Sequence, residues 1–251
     1  MAKVYFIGAG PGDIELLTIK ASKIIKIADI VIYAGSLVNK NILKLAKKSA
    51  YIYDSSGMTL DAILDIIRKE KATAQIIARI HSGDPSLYGA IQEQMDWCEK
   101  QKIDYEVIPG ISSYQAAAAC LKQEFTLPGV SQTVILTRIS GRTQVPAKED
   151  LSVLAKSKST MAIFLSISMI DKVVEKLTKS YPVDTAVVVI ERVSYPDERI
   201  IKGTLKNIAK KLKEAKYKPQ PLIIVGDVLI KKYRKSKLYA QDFEHGFRHN
   251  I

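Results

Sequence analysis

Short apolar runs, many of them β-branched, alternate with amphipathic stretches through the first half of the chain. Val4-Tyr5-Phe6-Ile7, Ile30-Val31-Ile32-Tyr33, Ala50-Tyr51-Ile52-Tyr53, Ala74 to Ile80 and Tyr105-Glu106-Val107-Ile108 read as strands. Unbroken apolar runs of this length suit strands buried on both faces of a parallel sheet. After the first, Ile14, Leu17, Ala21, Ile24, Ile25 and Ala28 recur at helical spacing, with Asp13 placed as N-cap. Val38 to Lys48 has helical spacing too, and Thr59 caps a helix with Leu60, Ile63, Leu64 and Ile67 on one face. Further helices run through Met95 and Trp97 and through Ala116 to Ala119. Strand and helix therefore alternate, which predicts an α/β unit with a mostly parallel sheet covered on both faces.

The rhythm breaks at Gln123 to Gly129, dividing the chain into domains 1–122 and 123–251. Beyond it, Thr133 to Thr137, Met161 to Leu165, Ala186 to Ile190, Arg199 to Ile201 and Pro221 to Gly226 read as strands. Helices are expected near Glu149 to Lys156, from Ile170 to Lys179 and through Leu205, Ile208 and Leu212. Tyr195-Pro196-Asp197-Glu198 reads as a turn. Fewer helices per strand predict a second α/β domain with a mixed sheet.

Three glycine-bearing turns each follow a strand: Gly8 to Asp13, Ser82 to Gly89 and Pro109 to Ser113. Open α/β sheets bind ligands at the carboxyl ends of their strands, so these turns are the candidate site. Ile7-Gly8-Ala9-Gly10-Pro11-Gly12-Asp13 begins as a dinucleotide fingerprint, but Gly12 falls one residue early for the third glycine. The acidic residue expected near the end of the second strand is absent as well, since Ala34-Gly35 follow it. A nicotinamide or flavin site is thereby disfavoured, and a simple tight turn stays open.

The 38 Lys and Arg against 26 Asp and Glu give a formal charge of +12. Such an excess fits a polyanionic partner: nucleic acid, an anionic membrane surface or a small molecule with many carboxylates. Abundant solvated lysines explain it equally, and the densest run, Lys231 to Lys237, reads first as a solvated segment. Basic stripes interleaved with aromatics are missing, so a nucleic-acid-binding module is a poor alternative. No apolar run is long enough to span a membrane, and the first strand begins directly after Met1-Ala2-Lys3, so no leader is expected. Cys98 and Cys120 form neither a metal spacing nor a disulfide framework, which suits a reducing cytoplasm. Neither a metal cluster nor a nucleophile–base pair is legible around the three histidines, His81, His245 and His249.

Five ordered blocks resemble the tetrapyrrole (corrin/porphyrin) methyltransferase family over nearly the whole chain. They are Ile7 to Asp13 with Leu16 to Ala21, Gly83-Asp84-Pro85 with Tyr88-Gly89, Glu106 to Gly110, Glu191 to Ser194 with Asp197 to Arg199, and Gln220 to Gly226. Tyr33 to Val38, Asp54 to Thr59 and Arg79 to Ala90 are similar to the branch that methylates carbon 11 of precorrin-4 or its cobalt complex in cobalamin synthesis. Other macrocycle positions, and macromolecule-modifying relatives such as diphthine synthase, are the alternatives within the fold. Relatives acting on uroporphyrinogen carry arginine after the glycine matching Gly89, where this chain has Ala90, which argues against that substrate.

The resemblance implies two α/β domains with S-adenosylmethionine folded in the cleft between them, a homodimer, and an anionic tetrapyrrole as substrate. It implies cofactor contacts from Pro11, Ser82, Gly83, Asp84, Leu87, Ser112 and Ser113, with Leu165, Val193 and Leu222 packing on the adenine. As apolar strand residues the last three are equally explained as core, and Asp84-Pro85 as an ordinary turn. Gly10, Pro11, Gly12 and Asp13 are expected to form a wall for the macrocycle. Arg138 and Arg142, with Arg192 beside them, are the guesses for its carboxylates, since guanidinium pairs carboxylate bidentately. Methyl transfer from a sulfonium to an enamine-like carbon depends mainly on placement of the two reactants. A proton-handling residue is accordingly only sketched: His81, Tyr88, Glu93 and Tyr114 are candidates.

Overall fold

The computed structural model describes residues 2–217, 221–230, 232–240, 243, 244 and 246. Gln220 of the last block, Lys231 of the basic run, His245 and His249 lie outside the described residues. The chain divides into two compact units: Met1–Ala116 with Arg192–Asp197, and Ala117–Glu191 with Glu198–Ile251.

In the first unit, strands β1 (Lys3–Gly8), β2 (Ile30–Tyr33), β3 (Tyr51–Asp54), β4 (Ile76–His81) and β5 (Asp104–Ile108) form one sheet in the order β3-β2-β4-β1-β5. Every neighbouring pair is parallel. Period-two alternation divides the apolar runs between the faces. Ile7, Val31, Tyr33, Ala78 and Ile80 pack with Ala21, Ile24 and Ile25 of helix α1 (Ile19–Ile27). Phe6, Ile30, Ile32 and Ile77 pack with Ile63 and Ile67 of helix α2 (Leu60–Glu70) and Cys98 of helix α3 (Gln92–Lys100). At the amino edge, Asp29 accepts from the Gln75 and Ile76 amides at 2.8 and 2.9 Å and from Lys47 Nζ at 2.6 Å. The Lys47 bond, foremost, and these amides hold its carboxyl below the usual range.

Two local readings need correction. Helix α1 starts at Ile19, with Thr18 Oγ1 accepting from the Ala21 amide at 3.1 Å. Asp13 instead caps a single 3₁₀ turn, Ile14–Leu16, accepting from the Glu15 amide at 2.9 Å. Leu17 and Thr18 are extended, so the apolar spacing continues across a break in the backbone. The helix expected from Val38 to Lys48 is a 3₁₀ segment, Lys40–Leu45, that buries Ile42 and is capped by Asn39.

In the second unit, helix α4 (Ser113–Leu121) runs in from the first unit. Strands β6 (Val134–Arg138), β7 (Thr160–Phe164), β8 (Ala186–Glu191), β9 (Arg199–Thr204) and β10 (Leu222–Val225) form a sheet in the order β6-β7-β10-β8-β9. The pair β6–β7 is parallel and the others antiparallel, so the sheet is mixed as expected. Helices α5 (Leu151–Leu154), α6 (Ile170–Leu177) and α7 (Ile208–Ala215) bury Leu151, Ile170, Val173, Leu177, Ile208 and Leu212 against it. The helix expected over Glu149 to Lys156 is one α-turn flanked by 3₁₀ turns. Among the described residues, no helix is long and apolar enough to cross a membrane.

Candidate active site

The three glycine turns meet at the carboxyl edge of the first sheet. Beyond the parallel ends of β1 and β4 the chain makes a short antiparallel bridge: the Gly10 amide donates to Gly83 O at 3.2 Å and the Gly83 amide returns to Gly10 O at 2.8 Å. Both glycines have left-handed φ, +73° and +63°, which side-chain-bearing residues adopt only with strain. The Ala9 amide donates to His81 O at 2.7 Å. Asp84 then ties in the third turn. Its Oδ2 accepts from the Gly110 amide at 2.9 Å, while Oδ1 accepts from the amide of Ser86, at 2.9 Å, and from its hydroxyl. A Cβ on Gly8 would lie 2.6 Å from backbone atoms of both Gly83 and Gly110, so bare backbone is what lets the turns touch. Ser112 is buried, its amide donating to Gln115 Oε1 at 2.9 Å at the entry to α4.

Beneath this edge lies a polar interior. Arg79, in the middle of β4 and 5% exposed, donates to Gln94 Oε1 at 3.1 Å and to Ser55 Oγ at 3.0 Å. Burial lowers its pKa to about 10, which leaves it charged at neutral pH. His81 follows at the strand end, also 5% exposed, with its Nε2 unpaired in the structure. Burial, with the Arg79 charge second, pushes its pKa down to about 3, against the backbone bond with Gly89. His81 is therefore a neutral interior histidine, and a weak base.

The side chains over the first turn come from far along the chain. Arg192–Asp197, between β8 and β9, belongs with the first unit. There Ser194 Oγ accepts from the Asp13 amide at 3.0 Å. The Tyr195 ring covers Gly12, and its hydroxyl donates to Leu37 O at 3.3 Å. Asn39 Nδ2 donates to Gly12 O at 2.8 Å. Sequence reading treats Tyr195 only as a turn residue. The sole hint is a tyrosine standing in a turn, because contacts across more than 180 residues leave no local trace.

The structure thus brings together Gly10, Pro11, Gly12, Asp13, Ser82, Gly83, Asp84, Ser112 and Ser113, with His81 below them. Pro11 and Gly12 are buried, and Ser82, Gly83, Asp84, Leu87, Ser113 and Tyr114 half-buried. Tyr88 and Ala90 are exposed with φ of 60° and 50°, flanking Gly89 in a strained turn. Glu93 is exposed in the first turn of α3. Val193 is buried within the Arg192–Asp197 segment. In the second unit, Leu165 follows β7 with φ 53°, a backbone conformation leucine seldom adopts, and is 58% exposed. Leu222 is buried at the start of β10, and the antiparallel register puts it at the same sheet edge as Leu165. Arg138 holds its own loop, donating to Thr143 O at 3.0 Å and Gln144 O at 2.8 Å, while Arg142 is exposed. Arg192 is engaged with Asp197 at 2.7 Å.

Two α/β units, one with a wholly parallel sheet and one with a mixed sheet, have glycine turns gathered at the carboxyl edge of the first. The family model for tetrapyrrole (corrin/porphyrin) methylases matches residues 3–209, and the chain belongs to that family. It is 54% identical over 248 residues to a cobalt-precorrin-4 C(11)-methyltransferase of Methanocaldococcus jannaschii, covering 98% of this chain and 96% of that protein. Its fold matches the X-ray structure of a cobalamin biosynthetic enzyme, cobalt precorrin-4 methyltransferase, with TM-score 0.87 at 39% identity, covering 90% of this chain and 95% of that one. It also matches a uroporphyrin-III C-methyl transferase of Thermus thermophilus complexed with S-adenyl homocysteine, with TM-score 0.77 at 26% identity over 93% of this chain and 96% of that one. The protein is a methyltransferase.

Proposed function

We propose that the protein transfers a methyl group from S-adenosylmethionine to carbon 11 of cobalt-precorrin-4 or precorrin-4 in cobalamin synthesis. The observation that carries this reading is the end-to-end similarity, at 54% identity, to a relative named for that reaction. The geometry of the turns supports it. Bare backbone at Gly8 and Gly110 lets the turns after β1, β4 and β5 lie against one another, which gathers Ser82, Gly83, Asp84 and Ser112 at one edge. When bound, the cofactor supplies an electrophilic methyl on a sulfonium that needs no metal or covalent partner. Ser82, Gly83, Asp84, Ser112 and Ser113 would hold it, and the Gly10–Asp13 wall would orient the macrocycle. The proposal also takes the protein to be a cytoplasmic homodimer whose partners include neither nucleic acid nor membrane.

Calorimetry with S-adenosylhomocysteine is the first test, and saturable one-to-one binding per chain is expected. A folded protein that does not bind it sinks the cofactor assignment. Mass spectrometry and NMR of the product from a panel of corrin intermediates then read the methylated carbon, and a position other than 11 redirects the proposal within the family.

Asp84→Ala separates support from contact. Losing the Gly110 anchor is expected to lower stability by about 1–2 kcal/mol, because the carboxylate is only half-buried. Affinity for S-adenosylhomocysteine should fall at least tenfold, since the turns after β4 and β5 lose their tie. An affinity within twofold of wild type, measured on the folded variant, would remove Asp84 from the cofactor site.

A further inference from the structure

Six residues, Arg192 to Asp197, leave the second unit's β-hairpin and lie on the first unit's leading turn. Their backbone is strained: Arg192 and Ser194 have φ of 49° and 66°, a conformation that surrounding contacts must hold. Contacts from Ser194, Tyr195 and Arg192 do so. Ser194 Oγ takes the Asp13 amide at 3.0 Å. The Tyr195 ring occupies the space that a side chain on Gly12 would need, and its hydroxyl reaches Leu37 O at 3.3 Å. The Arg192 guanidinium stacks on that ring, 4.0 Å from its centre, and is itself held by Asp197 at 2.7 Å.

The result is a brace in which the Arg192 guanidinium stacks on the Tyr195 ring and that ring packs on the bare backbone of Gly12. Asn39 Nδ2 fixes Gly12 O at 2.8 Å. Gly12 and Asp13 are thus gripped through an amide, a carbonyl and a ring contact.

We infer that Tyr195 is a positioning residue, with Ser194 and Arg192 supporting it, that fixes the Gly10–Asp13 turn in the one conformation that admits the macrocycle. The inference rests on the proposed reading of that turn as the macrocycle wall. Arg192, on this account, acts by stacking on Tyr195 and not by pairing a substrate carboxylate. Tyr195 acts chiefly through its ring, and the 3.3 Å bond from its hydroxyl to Leu37 O is the smaller part of its hold.

Hydrogen exchange followed by mass spectrometry, combined with steady-state kinetics, tests this in Tyr195→Ala, Tyr195→Phe and Ser194→Ala. In Tyr195→Ala, amides of a peptide covering Gly10 to Leu16 should exchange at least tenfold faster, KM for the corrin substrate should rise at least tenfold, and affinity for S-adenosylhomocysteine should stay within threefold. Tyr195→Phe should restore exchange and KM to within threefold of wild type. Ser194→Ala should accelerate exchange at the Asp13 amide alone. Where Tyr195→Ala fails to fold, Tyr195→Leu gives the same comparison. Unchanged exchange in the turn overturns the inference, as does equal loss of corrin and S-adenosylhomocysteine binding with lowered thermal stability. Failure of the functional reading looks different: wild-type protein then turns over no corrin intermediate, while the exchange measurement still decides whether the brace exists.

Discussion

Gly110→Ala should destabilise the protein by about 3 kcal/mol or more, enough to leave much of it unfolded or insoluble. A Cβ at that position would lie 2.8 Å from Gly8 Cα and closer still to Gly83 O. All of these are backbone atoms at the ends of adjacent strands, so no side-chain rotamer can make room. Relief requires separating the turns after β1, β4 and β5, which breaks the Gly110–Asp84 bond at 2.9 Å and the Gly10–Gly83 bridge. Gly8→Ala should behave alike, since its Cβ would meet Gly110 and Gly83 at 2.6 Å. Gly57→Ala is the control: a Cβ there meets nothing within 4 Å, and stability should stay within about 0.5 kcal/mol of wild type. Urea unfolding of the three variants checks the ranking. A Gly110→Ala protein as stable as the control would mean that the turns are not in the contact described.

Stability should also fall on mild acidification because of His81. Its folded pKa is pushed down to about 3 from an ordinary value near 6.5, so the folded protein keeps it neutral. Above pH 6.5 neither state binds the proton and the group has no effect. Below it the unfolded chain takes up a proton that the folded chain refuses, and stability declines by about 1.4 kcal/mol per pH unit toward pH 3. Between pH 6.5 and 5 the loss attributable to His81 is about 2 kcal/mol. His81→Asn keeps a donor of similar reach and removes the titration. Urea midpoints at pH 7, 6 and 5 should therefore converge for the two proteins as pH falls, with wild type losing more. Parallel loss in both would show that the imidazole is not shielded as the structure has it.

Much of the architecture was legible in the residues. Continuous apolar runs such as Ile30 to Tyr33 and Ala186 to Ile190 could only be buried strands, and the helical face of α2 was visible with its Thr59 cap. The glycines marked the edge where the turns meet, because each glycine-bearing turn follows a strand. Boundaries were less secure. Apolar spacing runs unbroken from Ile14 through Ala28, yet the backbone is extended at Leu17 and Thr18, and spacing cannot register a break whose flanking residues face the same core.

By itself, then, the sequence determined the alternation of strands and helices, the parallel character of the first sheet, the edge at which the glycine turns gather and membership of the methylating family. Local periodicity, turn chemistry and ordered motifs are properties of neighbouring residues, so they can be read along the chain. Tertiary structure alone decided what those residues do to one another. It engaged the Asp84 carboxylate with Gly110 and made Gly8 a point of backbone contact. It sealed His81 in the interior as a neutral group and laid Tyr195 on Gly12 from 183 positions away. Burial, close approach and pKa are set by what surrounds a residue in space, and such surroundings come from strands and turns that are neighbours only after folding.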